Sequence, residues 1–113
     1  MIKSKNNSEH YIWGDHCDSW ILKNDVHLSV KQEIMPSGTS EKLHFHHFAE
    51  QFFYILKGKA VFFIDGEKLS IKSGESITIT PKSKHYIANE SNEDLEFLVI
   101  SSPSTDNDRI NIK

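Results

Sequence analysis

The sequence predicts an all-β domain, a barrel or sandwich of short antiparallel strands. Three observations carry that prediction. No segment keeps a helical period, whereas apolar residues alternate with period two from residue 26 onward. Turn residues interrupt the chain at close spacing, at Gly58, Asp65-Gly66, Gly74, Pro81 and the polar run from Glu90 to Asp94. At 113 residues there is room for one domain with a modest core.

The elements follow in order. Residues 1–25 form an N-terminal segment whose first nine residues are polar and expected to be mobile. The aromatic-rich run from Trp13 to Trp20 is expected to close the barrel or to pack on a dimer partner, with Cys17 buried. Cys17 and His16 are not read as a nucleophile pair, because sequence neighbours rarely have dyad geometry. Residues 26–101 make the barrel. In its first strand Val26, Leu28, Val30, Gln32 and Ile34 alternate with His27, Ser29, Lys31 and Glu33, the pattern of a half-buried strand. Denser apolar runs cover 52–56 and 60–64. Asp65-Gly66 then signals a hairpin, because both positions of such a turn favour positive φ. Leu69 to Ile71 leads into the turn at 72–75, and Ile77 and Ile79 alternate with polar neighbours. After a turn at 81–84, His85, Ile87 and Asn89 share a strand face, and Leu95 to Ile100 is a last apolar strand. Residues 102–113 read as a polar tail lying over the surface.

Composition excludes several classes of function. The net charge is −3 with both signs interspersed, so no basic stripe suggests nucleic acid. The single cysteine excludes an internal disulfide and fits a reducing compartment. No apolar run follows the N-terminus, so neither a signal peptide nor a membrane span is expected, and the cytoplasm is the expected location.

The chemistry concentrates between Gly38 and Asn89. The first block reads Gly38, His44-Phe45-His46, Gln51 and Gly58; the second reads Gly74, Pro81, His85 and Asn89. In a strand, His44 and His46 point the same way, about 7 Å apart, and a barrel can bring His85 opposite them. Three imidazoles and one oxygen-bearing side chain suit a divalent transition metal: iron, zinc, manganese or nickel. The two blocks resemble the paired motifs of the cupin superfamily, and the resemblance covers about residues 26–101. It implies a double-stranded β-helix, a jelly-roll of two antiparallel sheets, commonly a homodimer, with a metal on His44, His46, His85 and a fourth residue. Cupins most often carry glutamate at that fourth place, six residues before a glycine. Counting back from Gly58 selects Gln51, and strand parity agrees, with Glu50 as the alternative. Thr80 and Lys82 depart from the second motif's usual proline and glycine, which bears on the turn more than on His85. Asn89 is read as a turn cap and His47 as a surface or packing residue; His10, His16 and His27 are assigned nothing.

No general base is visible. Tyr54 and Tyr86 are of unresolved facing, Phe45, Phe53, Phe62 and Ile64 are pocket or core, and Arg109 defaults to a surface residue able to bind an anion. The expected function is Lewis-acid catalysis on a small sugar, sugar acid or keto acid, of isomerase, ring-opening or tautomerase type. The alternatives are a non-haem iron dioxygenase and a non-catalytic metabolite-binding cupin.

Overall fold

The computed structural model describes residues 1–112. Eleven strands run β1 (Glu9–Trp13), β2 (Cys17–Asn24), β3 (Ser29–Met35), β4 (His44–Phe45), β5 (Glu50–Lys57), β6 (Lys59–Ile64), β7 (Glu67–Lys72), β8 (Ser76–Ile79), β9 (His85–Ala88), β10 (Leu95–Ser102) and β11 (Ile110–Asn111). There is no helix among the described residues, and hence none long and apolar enough to cross a membrane. Two antiparallel sheets face each other, ordered β1-β2-β3-β10-β5-β8 and β11-β4-β9-β6-β7. This is the all-β jelly-roll.

Alternation builds the core between the sheets. On β5, Gln51, Phe53 and Ile55 are buried while Glu50, Phe52 and Tyr54 face out. From β10 come Leu95, Phe97 and Val99; Phe62 on β6, Ile79 on β8 and Ile87 on β9 join them, with Cys17, Met35 and Ala60. Phe53 stands edge-on to Phe62, ring centroids 5.0 Å apart at 70°, an arrangement aromatic pairs favour. The hairpin at Asp65-Gly66 forms as the dipeptide predicts, with φ of 48° and 86° joining Ile64 to Glu67. At Gly58 (φ 89°) an added Cβ would lie 2.7 Å from the Asp94 carbonyl oxygen, so the β5–β6 turn admits only glycine against the start of β10.

Two expectations change, and the one for the N-terminal segment gains its strands. The strand read from Val26 begins at Ser29, and its inner face is Ser29, Lys31, Glu33 and Met35; Val30, Gln32 and Ile34 face outward. Pairing decides this, since Met35 lies opposite Leu95 and Glu33 opposite Phe97, and opposed residues share a face. The N-terminal segment supplies β1 and β2, which extend the larger sheet beyond β3. Trp13 packs against the core, Cys17 is fully buried, and Trp20 lies half-buried on the outer face. The C-terminal segment is more than a surface tail. Ile110 and Asn111 pair with Phe45 and His44, and the Ile112 N–H donates to Leu43 O at 2.9 Å.

Candidate metal centre

Two short strands of the second sheet create the site. His44 on β4 lies directly opposite His85 on β9, so their side chains share the inner face. His46 follows two residues after His44 on that same face. The 80–83 turn is docked beneath it: Lys82 N–H donates to His46 O at 2.6 Å, and Ser83 N–H to Thr80 O at 3.3 Å. The three histidines are 1–3 % exposed, and their nearest ligand atoms all lie within 4.8 Å of one another.

Each ring is fixed from behind. His44 Nδ1 donates to Lys42 O at 2.7 Å, His46 Nδ1 to Asp108 O at 2.7 Å and His85 Nδ1 to Ser83 O at 2.8 Å. A carbonyl only accepts, so each Nδ1 carries the proton and each Nε2 of the neutral ring presents a lone pair. Burial keeps the rings neutral, pushing His44 down to about 3, His85 to about 4 and His46 below its ordinary value. The positive charge of Arg109 lowers all three further.

The donor set passes a test of fit for a cation. His46 Nε2 is buried with no hydrogen-bond partner among the described residues, an arrangement proteins rarely tolerate without a ligand. Gln51 Oε1 stands 3.1 Å from His85 Nε2, so two lone pairs face each other. Adjacent ligands of one ion, each about 2.1 Å from it, would stand roughly 3.0–3.4 Å apart. The Gln51 amide is oriented by its N–H donating to Ser101 Oγ at 3.1 Å. Glu50 is exposed on the opposite face of β5.

The centre opens into a cavity of about 560 Å³, whose walls include His44, His46, Gln51, Phe53 and Val99. Its charged lining is Lys31, Glu33, Glu41, Lys42, Asp106 and Arg109. Arg109 is exposed, as the sequence reading has it, and it also lines the cavity. Burial pushes the Glu41 carboxyl up to about 7, although Arg109 at 3.4 Å pulls it the other way. Sequence reasoning missed Glu41 altogether; its position between Gly38 and His44 was the only available signal.

Asp108 was also missed as a functional residue. Its carbonyl holds His46, while its carboxylate accepts the N–H groups of His47 (2.8 Å), Phe48 (3.1 Å) and Ala49 (3.0 Å). The remaining candidates sit away from the centre. His47 turns its ring to Phe45 and Phe48, and His10 pairs with Asp18 on the outer surface. Tyr86 stacks on Phe63, Tyr54 faces outward, and Phe62 and Ile64 belong to the core. Asn89 is a buried turn cap, its amide donating to Met35 O and Glu93 O while its oxygen accepts from Ser91.

Fold and site together define a small jelly-roll barrel with three inward histidines that could hold a metal ion. The chain belongs to the cupin family: residues 30–101 match the cupin domain model. It is 37% identical over 87 residues to an uncharacterized protein of Methanocaldococcus jannaschii, covering 74% of this chain and 70% of that one. It is 38% identical over 79 residues to an oxalate-binding protein of Thermotoga maritima, covering 70% of this chain and 64% of that protein's length. Among solved structures it superposes on KdgF from Halomonas with a TM-score of 0.85 at 16% identity, covering 95% and 98% of the two chains. That last likeness is one of fold.

Proposed function

We propose that this cupin holds one divalent transition-metal ion on His44, His46, His85 and Gln51 and acts as a Lewis-acid enzyme on a small oxygenated metabolite. A sugar, sugar acid or keto acid fits, undergoing isomerisation, ring opening or tautomerisation. The observation that carries the reading is the three Nε2 lone pairs, oriented by three backbone carbonyls toward one point beside the Gln51 oxygen. With only neutral ligands, a bound ion would keep its full double charge and polarise a substrate oxygen strongly. The chain's own contribution is a cavity lined by Phe53 and Val99 together with charged groups, which would orient a small polar ligand against the centre.

The test is the metal content of protein purified without chelators, followed by assay on sugars, uronates and keto acids. Near one equivalent of zinc, manganese or nickel with turnover supports the reading. Iron with oxygen uptake moves it to a dioxygenase, and no metal after reconstitution sinks it. A second reading, a non-catalytic binding protein, is favoured by the oxalate-binding relative. It predicts saturable oxalate binding by the metal-loaded protein with no product on any of these substrates.

The proposal includes a homodimer. Phe52, Tyr54 and Leu56 on the outer face of β5, each 37–40 % exposed, form an apolar row with no cover in the monomer, and a second copy would bury it. Light scattering should give twice the 13.0 kDa chain mass, and Phe52→Glu with Leu56→Glu should return it to one. A monomeric unmodified protein at micromolar concentration would remove this part of the reading.

A further inference from the structure

Arg109 is placed like a ligand-binding group and satisfied like a waiting one. It enters the cavity from the C-terminal segment, immediately before β11 carries the chain against His44. Its Nε donates to Asn111 Oδ1 at 3.0 Å, and its Nη1 reaches Glu41 Oε2 only at 3.4 Å. A guanidinium has five N–H donors in a planar fork, and here Nη2 has no protein acceptor among the described residues. The side chain is 42% exposed, whereas that of Glu41 is 11% exposed.

Glu41 is otherwise engaged. Its Oε1 accepts the Ile87 N–H at 3.1 Å, which ties the carboxylate to β9 and presents Oε2 to the cavity. Of the other two cations of the lining, Lys31 already donates to Tyr11 Oη at 3.1 Å, and Lys42 offers a point charge without the planar fork of Arg109. The cavity thus has one guanidinium under-used and one fixed carboxylate holding it loosely, in a lining that includes His44 and His46.

We infer that Arg109 is a carboxylate-binding subsite beside the metal centre, and that Glu41 is a built-in competitor which an anionic ligand displaces from it. This deepens the proposed function, on which it rests, by selecting acids over neutral sugars. A ligand carboxylate meets the guanidinium fork through two parallel hydrogen bonds, a geometry the single long contact to Glu41 does not achieve. Glu41, anchored to the Ile87 N–H, cannot follow Arg109, so exchange of partners costs little.

Calorimetric titration with D-glucuronate and D-glucose, which differ in a carboxylate against a hydroxymethyl group, tests this on zinc-loaded and zinc-free protein. The zinc-loaded protein should bind glucuronate about tenfold or more tightly than glucose, the worth of a charged hydrogen-bonded pair. Arg109→Gln should abolish that preference without changing glucose binding, and Arg109→Lys should restore part of it. Glu41→Gln keeps the acceptor for Ile87 and removes the competing charge, so glucuronate should bind several-fold more tightly than to the unmodified protein. A purely structural Glu41 would give no change or a loss. Preference retained in Arg109→Gln, no tightening in Glu41→Gln, or no glucuronate binding at all overturns the inference. Zinc-independent binding of both sugars would instead count against the metal reading, and the Arg109 comparison would still decide the subsite.

Discussion

Alanine at His44, His46 or His85 is expected to strip the metal from the folded barrel, one substitution at a time. Each ring supplies one of three Nε2 lone pairs that stand within a single coordination sphere's reach, and two imidazoles with one amide make a poor site. Affinity should fall about a hundredfold or more, beyond the ten- to hundredfold typical of losing a group that merely orients a ligand. Each change also leaves a backbone carbonyl without its donor, at Lys42, Asp108 or Ser83, which costs about 1–3 kcal/mol by itself. The two effects separate in a melting experiment with and without chelator. An ion present at a thousand times its Kd contributes about 4 kcal/mol, roughly 15 °C in a domain of this size. Chelation should therefore lower the melting temperature of the unmodified protein and leave the three variants where they were. Gln51→Ala should weaken metal binding and Glu50→Ala should not, because Glu50 lies on the outer face. Metal kept by Gln51→Ala and lost by Glu50→Ala would refute the proposed ligand set.

Asp108→Ala is expected to damage stability and metal binding together. One residue of the C-terminal segment clamps the loop after β4 by accepting three consecutive N–H groups on its carboxylate, and it orients His46 through its carbonyl. Loss of three charge-assisted hydrogen bonds that share one group should cost about 2–4 kcal/mol. His46, released from its fixed tautomer, should lower metal affinity about ten- to hundredfold. The sign with pH follows from the carboxyl. Burial alone would raise its pKa, but the Phe48, His47 and Ala49 N–H groups outweigh that and hold it below the ordinary 3.8. Its stabilisation is therefore complete above about pH 4 and is lost as pH falls through the depressed value. Acid titration of folding for the unmodified protein and Asp108→Asn should converge at low pH and diverge above it. Parallel curves at all pH values would mean that the ionised carboxylate is not what holds the loop.

How far each feature was legible depended on how local its cause is. The Asp65-Gly66 hairpin and the alternation of β5 were readable, because two adjacent residues or one strand's own period suffice to specify them. β1 and β2 were not. Their inward residues mix Tyr11, Trp13 and Cys17 with Ser19, and their outward ones mix Ile12, Trp20 and Leu22 with His10 and Asp18, so neither face stands out by hydropathy. β3 shows the same limit in another form. Its alternation was read, but period two fixes the two faces relative to each other and leaves open which is inside. The apolar set of Val30 and Ile34 faces out, and a buried Glu33 faces in.

The candidate site divides along the same line. By itself the sequence determined the all-β class, the one-face pairing of His44 with His46, and the opposite facing of Gln51 and Glu50. The class follows from period and turn spacing, and the two facings from pleat geometry, with no partner strand needed. Only the tertiary structure decided that His85 stands opposite His44, that Asp108 fixes His46 from 62 residues away, and that Arg109 and Glu41 meet in the cavity. Those are contacts between segments distant along the chain, set by sheet order and by closure of the barrel, and no local period records them.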